Sequence, residues 1–563
     1  MKIILKLMIA LMFFSIFTSV THANNKFLKK EKNSKNNLTE LFSFEKNVNE
    51  NDNNGFFVNS AVIMNLKKES LSKILFNKDE NLILKIPVAE NNFIELELSQ
   101  TFPLSEDFIL FSKDNNNKSI EKYKPGLHYS GIIKGKENSI ASVSIFENFV
   151  MGIISDENGN YVLGNIKNAD KSYSGNYIFY NDADLNIRNK FKCGVDDNDS
   201  KFIRAIKEIF NHRPENNLSD NISDNLSDNI SRLPVKVYFE ADYQMYIDGN
   251  SNPQIVADFI SGMFNSVKTI YARDSIPTEI SSVGIWTVSD PYAGLNNPFD
   301  ILQAFGELSQ DDFQGNLAHL LSTRDAGLGG IAWIRVLCAE YNSQNYSGRY
   351  AFSNIEPNYN NFPVYSWTVN VVTHEMGHNL GSMHTHACVW PVQGTIKSID
   401  SCYTGENGCN FPVRARFGTI MSYCHLTSNM GGGVNLSLGF GRLPGDTIRL
   451  RYSQAACLER YVNSSEIPLT YFLDQNYPNP FNPTTKINYE LPASRQGGQI
   501  TNYVSLKVYN VLGNEVKTLV NEKQNAGNHT VEFEGSNFSS GIYFYSLSVN
   551  GNIIDTKRMV LLK

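Results

Sequence analysis

HEMGHNLGSMH, His374 to His384, is the stretch on which the middle of this 563-residue chain turns. The residues before it, SWTVNVVT, carry apolar side chains at helical spacing, which predicts a helix from about Ser366 to Leu380. His374 and His378 are four apart, so they stack on one helix face about a turn from each other. Two imidazoles so placed can share one zinc ion. Glu375, beside them, is positioned to contact a metal-bound water rather than the metal. Gly381 lets the chain leave the helix in a left-handed conformation. His384 can then swing back as a third nitrogen ligand, leaving the open position a catalytic zinc needs. Zinc acidifies a bound water, and Glu375 would take its proton and deliver it to a leaving amine. Two histidines at this spacing can also simply pack in a core; the correctly placed Gly381 and His384 argue against that.

Outward from this motif, the pattern after Pro234 alternates strands and helices. VKVYFEA, EISSVGIWTV and LGGIAWIRVL read as strands. QIVADFISGMFNSVKTIYAR, FDILQAFGEL and NLAHLLS read as helices. That alternation predicts an α/β catalytic domain over 233–462, a mixed twisted sheet plus helices. Upstream, from Phe56 to about Tyr180, short apolar runs alternate with Asn/Gly/Asp turns and predict a β-rich domain. Residues 24 to 55 are rich in Asn, Lys and Glu and read as a mobile leader. NLSDNISDNLSDNIS, 217–231, is a polar repeat without a core-forming face, hence an exposed and cleavable linker. From Leu473 on, prolines and short alternating runs predict a small antiparallel β-sandwich over 472–563.

MKIILKLMIALMFFSIFTSVTHA has a basic start, a short apolar run from Leu7 to Phe17 and small or short residues leading to an expected cut after Ala23, the order of a secretory signal peptide. The run is too short to span a bilayer, so after processing an integral membrane protein is not expected. Net charge is −7 with scattered lysines, which gives no reason to expect nucleic acid as a partner. Export turns the seven cysteines into disulfide candidates. Six lie between 338 and 457; Cys193 stands alone upstream. Sequence alone leaves the pairing of the six open.

The long motif resembles the metzincin signature, in which a methionine turn follows the third histidine. GTIMSYC, with Met421, matches that turn. The resemblance implies that Met421 packs beneath the metal and that Tyr423 contacts the metal or the transition state. HYSGIIKGKENSIASVSIFENFVMGIISDENGNYVLG (His128 to Gly164) resembles the propeptide of the adamalysin (reprolysin) branch, and FKCGVDD resembles its cysteine switch. Cys193 would then hold a latent zymogen by filling the metal's open position as thiolate, within a propeptide spanning 24–232. By the same similarity Cys338 pairs with Cys457, Cys388 with Cys424 and Cys402 with Cys409. LGGIAWI looks like the family's edge strand above the cleft, where an extended polypeptide substrate can pair. Adamalysins carry Asp directly after the third histidine; this chain has Thr385. Calcium is not indicated, since Asn316 stands at one of the family's acidic calcium positions.

NYPNPFNPTTKINYELP, VYNVLGNEV, GIYFYSL and KRMVLLK together resemble a type IX secretion sorting domain. That resemblance implies the type IX machinery as a partner and an extracellular or cell-surface destination. The expected function is a secreted zinc-dependent metalloendopeptidase. The other readings are a zinc hydrolase acting on a non-peptide amide or ester, and a catalytically silent adhesion protein.

Overall fold

Period-two alternation fills the first third of the chain and gives way to mixed periods after Val235. The structure, a computed structural model, describes residues 38–49, 58–115, 117–186, 193–195, 230–324, 329–356, 358–359, 362–392, 395–403, 409, 416–426, 433–461, 471–474, 476, 479, 481–492, 501–525 and 527–561. The expected signal peptide (1–23) and nearly all of the linker repeat lie outside the described residues. Two compact units emerge: residues 1–220 with 232–459, and 221–231 with 460–563.

In the first unit a ten-stranded sheet is built from the region expected as the propeptide. Its strands are β1 (Leu38–Glu40), β2 (Phe42–Asn49), β3 (Ser60–Leu66), β4 (Asn81–Ala89), β5 (Asn92–Thr101), β8 (Leu127–Ile133), β9 (Lys136–Ile145), β10 (Val150–Asp156), β11 (Gly159–Asn165) and β12 (Asn176–Asn181). They lie in the order β1-β4-β5-β8-β9-β10-β11-β12-β3-β2. β1 and β2 correct the expectation of a mobile leader over 24–55 for residues 38–49; the rest of that stretch lies outside the described residues. The polar composition of 24–55 hides Leu41, Phe42 and Val48, all buried.

The two strands between β5 and β8, β6 (Leu104–Lys113) and β7 (Lys118–Glu121), leave that sheet and join another. The second sheet also contains β13 (Val235–Ala241), β14 (Thr278–Trp286), β15 (Leu317–Ser322), β16 (Gly330–Ala332) and β17 (Tyr350–Asn354), in the order β16-β17-β15-β13-β14-β6-β7. β16 is antiparallel to β17, while β17, β15, β13, β14 and β6 run parallel. The chain boundary expected near 232 therefore does not separate the sheets. β15 corrects the expectation of a helix at NLAHLLS. All six of its residues are buried between neighbours on both sides, and a short run buried on both faces carries no readable period.

Helix α1 (Pro253–Arg273) packs its apolar face, including Ile260, Phe264 and Val267, into the core shared with the catalytic sheet. Helix α2 (Ser366–Asn379) is buried on every side but one, as its lack of a polar stripe requires. In the second unit, strands Phe472–Leu473, Thr484–Leu491 and Gly527–Glu534 form one antiparallel sheet, and Thr501–Asn510, Glu515–Asn525, Gly541–Val549 and Asn552–Leu561 another. A common core including Ile487, Val504, Phe533 and Leu547 lies among these strands. Among the described residues no helix is long and apolar enough to cross a membrane.

Candidate metal centre

Helix α2 ends in a glycine-capped turn that aims the third histidine. Gly381 takes φ +97°, its N–H donates to the His378 carbonyl at 2.8 Å, and the Ser382 N–H donates to the Gly377 carbonyl at 3.0 Å. This paired closure is the Schellman arrangement, and a Cβ at 381 would resist it. The chain then doubles back so that His384 faces His374 and His378.

The three Nε2 atoms lie 3.1 Å (His374–His378), 3.2 Å (His378–His384) and 3.2 Å (His374–His384) apart. Such a triangle fits on a circle of about 1.8 Å radius, inside the ~2.0–2.1 Å of a zinc–nitrogen bond, so one ion reaches all three. Hydrogen bonds at the far ring nitrogens fix the tautomers. His374 Nδ1 donates to the Ile420 carbonyl and His378 Nδ1 to the Ser382 carbonyl, each at 2.8 Å. Burial, with the neighbouring imidazoles, holds all three well below the usual histidine range. They are therefore neutral, with lone pairs converging on one point. Without a cation that arrangement sets lone pair against lone pair, so the donor set fits a metal of zinc's preference.

Cys193 closes the fourth side. Its Sγ lies 3.4 Å from Glu375 Oε2 and 3.5 Å from His378 Nε2, and it groups with the three histidines as a potential metal-holding set. It is the one cysteine outside a disulfide among the described residues. Gly194 donates its N–H to the Gly330 carbonyl at 2.9 Å, and Cys193 pairs with Gly330 in a parallel bridge. The outer rim of β16, expected as a place for substrate, is thus taken by Cys193 and Gly194. Tyr423 fixes the same residue, its hydroxyl 3.0 Å from the Cys193 N–H and 3.2 Å from its carbonyl.

Glu375 is fully buried, and burial pushes its carboxyl well above the ordinary range, opposed by the Cys193 hydrogen bond. Its Oε1 has no hydrogen-bond partner and rests against Gly330, where a Cβ would come within 2.6 Å of that oxygen. The glycine is visible in LGGIAWI, but nothing local shows what it accommodates. Met421 is fully buried beneath the helix, its Sδ 2.8 Å from where a Cβ on Gly377 would stand. Thr385, in place of the family's Asp, donates its backbone N–H to the Met421 carbonyl at 3.0 Å and its hydroxyl to Asp400. His386 stacks on His384 with ring centroids 5.0 Å apart. Asn316 uses its side chain on the Lys236 N–H, at 2.8 Å.

Disulfides tie the surrounding loops, and two expected pairings are corrected. Cys338 is bonded to Cys457, but Cys388 is bonded to Cys409 and Cys402 to Cys424. The Asp400 carboxylate accepts the Cys402 N–H at 2.8 Å, holding that turn with Cys402 Cα 4.7 Å from Cys424 Cα. The path of the 385–424 loop, rather than spacing along the chain, selects the partners.

A helix carrying two histidines, a glycine turn returning a third, a methionine turn below and an antiparallel edge strand above define a metzincin-type metallopeptidase domain. Residues 232–431 match metallo-peptidase family M12, and residues 475–561 match a secretion system C-terminal sorting domain. Human disintegrin and metalloproteinase domain-containing protein 9 is 23% identical over 397 residues, 67% of this chain and 43% of that protein. The chain thus spans less than half the length of that curated relative. Metalloproteinase-II from Bacteroides fragilis shares 13% identity at TM-score 0.30, over 58% of this chain and 90% of that one. Catalytically inactive OgpA from Akkermansia muciniphila, solved with an O-glycopeptide substrate, shares 10% at TM-score 0.20, over 61% and 96%.

Proposed function

We propose that the chain is a zinc-dependent endopeptidase, synthesised as a latent precursor and exported by the type IX route. The observation that carries this reading is the convergence of three neutral imidazole nitrogens with Glu375 and the Cys193 thiol facing the same point. A zinc ion held by His374, His378 and His384 supplies Lewis acidity towards a carbonyl oxygen and acidifies a water. Glu375 takes a proton at Oε2 and passes it to the leaving amine. Its burial favours the protonated form, which suits the donating half of that cycle. β16 offers backbone N–H and C=O groups to an extended peptide, so affinity owes little to the substrate's side chains. The Tyr423 hydroxyl, once released from Cys193, faces the same space and donates to the developing oxyanion.

Latency follows from the same contacts. Cys193 occupies the space above the three nitrogens, and Gly194 occupies the β16 rim. In this reading residues 1–23 are a signal peptide, 24–232 a propeptide, 233–462 the catalytic domain and 472–563 the sorting domain. Maturation cuts between His212 and Pro234. The product acts outside the cell or at its surface.

The test is cleavage of a peptide library by linker-cut, propeptide-free protein, with and without a zinc chelator, beside Glu375→Ala. Cleavage lost on chelation and in the variant supports the reading. A folded, zinc-loaded protein that cuts no peptide but hydrolyses amide or ester substrates would replace it with the non-peptide hydrolase. Inertness towards both would favour an adhesion role.

A further inference from the structure

Neither the metal centre nor the switch at Cys193 uses the two propeptide strands in the catalytic sheet. β6 runs parallel to β14, with Leu104 opposite Ile280, then an irregularity, then a continuous register from Ile109 opposite Ser282 to Lys113 opposite Trp286. Backbone bonds close both ends, Ile280 N–H to the Pro103 carbonyl at 2.7 Å and Thr287 N–H to the Lys113 carbonyl at 3.0 Å. β14 is buried at every position except Glu279, so β6 covers the flank of an interior strand.

At the end of this pairing stands a buried charge. Glu240, on β13, is fully buried; Lys113 Nζ lies 2.7 Å from its Oε2 and 4.5 Å from the centre of the Trp286 ring. Its other partners are neutral and belong to the catalytic domain: Tyr238 Oη at 2.5 Å, Trp286 Nε1 at 2.5 Å and Tyr292 Oη at 3.0 Å. Among the described residues Lys113 is the one cation that Glu240 meets. Burial alone would raise this carboxyl; the Lys113 charge and hydrogen bond, with Tyr238 and Trp286, hold it below the usual range. Withdrawing β6 would leave a carboxylate without its counter-ion and an interior strand without a neighbour.

The other large contact joins an apolar core, in which Phe146 and Met151 share a cluster with Ile260 and Met263, to a polar seam. Towards the propeptide, α1 presents Asp258, Ser261, Asn265 and Ser266, a polar stripe at helical spacing. Asp258 accepts from Tyr123 Oη at 3.1 Å, Ser266 meets Ser142 at 2.8 Å, and Asn265 donates to the Tyr129 carbonyl at 3.0 Å. Water can replace such partners. It cannot as readily replace Lys113 at the bottom of a sheet.

We propose that the β14 flank, with Glu240 at its end, is a strand-docking site whose partner is the propeptide's own segment Leu104–Lys113. The propeptide stays on the catalytic domain after the connecting chain is cut, and leaves when that strand and its lysine are drawn out. The bearing of this on latency rests on the protease reading; the docking itself does not.

The test uses the full-length precursor with a recognition site for a specific protease placed in 217–231, cut and then run on gel filtration at micromolar concentration. The two fragments are expected to elute together. Lys113→Met should weaken their association about tenfold or more, because it strands a buried carboxylate. Lys113→Met with Glu240→Gln should recover most of that loss, since both charges are then gone and the pair is coupled. The recovery separates a specific ion pair from general damage to the fold. Immediate separation of the wild-type fragments would overturn the proposal, as would unchanged association in Lys113→Met or failure of the double variant to recover. Elution requires neither zinc nor activity, so a failed docking test and a failed protease assignment are distinguishable.

Discussion

Gly330 and Glu375 are in backbone-to-side-chain contact: a Cβ on residue 330 would lie 2.6 Å from Glu375 Oε1 and 2.7 Å from its Cγ. The edge strand above the cleft and the carboxylate beside the metal ligands are thus spaced by a single missing methyl group. Gly330→Ala should push the carboxyl from its position. We expect kcat/KM for peptide cleavage to fall about tenfold or more with zinc content unchanged, read by cleavage rates and metal analysis side by side. Undiminished cleavage would mean that Glu375 tolerates displacement.

Glu375→Gln keeps the shape of the side chain and removes its basicity. Zinc should remain bound while cleavage drops roughly 10²–10⁴-fold, the usual scale for a lost general base. Retained activity would sink the role given to this residue.

Cys193→Ser removes the sulfur but leaves the Gly194–Gly330 bond and the Tyr423 contacts in place. The uncut precursor should then show measurable peptide cleavage, because oxygen is a poorer zinc ligand than thiolate in such a site. A precursor as silent as wild type would assign latency to the strand pairing alone.

Two buried carboxyls, Asp258 and Asp182, should weaken retention of the cut propeptide as pH rises from about 4 to 7. Asp258, buried near Tyr123, Gln254 and Glu147, is pushed up to about 7 from 3.8, chiefly by burial. Asp182, raised to about 6 by burial despite hydrogen bonds from Asn160 and Ser366, acts in the same sense. Both carboxyls hold protons in the complex that they lose when exposed. The contribution of these two carboxyls is therefore full below about pH 4, declines as pH climbs towards 7 and is level above it, while the Lys113–Glu240 pair, whose carboxyl is held low in the complex, works in the opposite sense. Asp258→Asn should flatten the curve, as binding constants measured from pH 4 to 8 would reveal.

The convergence of His374, His378 and His384 is readable from the sequence because it depends on helical period and one glycine, both local. The alternation of the β-rich region is readable for the same reason. What the sequence does not disclose is set by partners far along the chain. Leu104 lies opposite Ile280 and Lys113 reaches Glu240, and nothing near either residue announces its neighbour. Cys402 joins Cys424 because a turn capped by Asp400 brings it there. LAHLLS gives no period because every residue in it is buried. Gly330 stands in plain sight, but its reason is a carboxylate delivered by another element.

The arrangement of the catalytic sheet also bears on solubility. In the uncut chain its two rims are both occupied, one by β6 and β7, the other by Cys193 and Gly194. The rim left open is β7, four residues reading KSIE, short and charged in the way that discourages pairing between molecules. Loss of the propeptide bares β14 and β16 together, at opposite ends of one sheet, and each is a template for another chain. If residues 24–232 are removed as proposed, the remaining domain therefore faces, when concentrated, a self-association hazard from which the uncut chain is shielded.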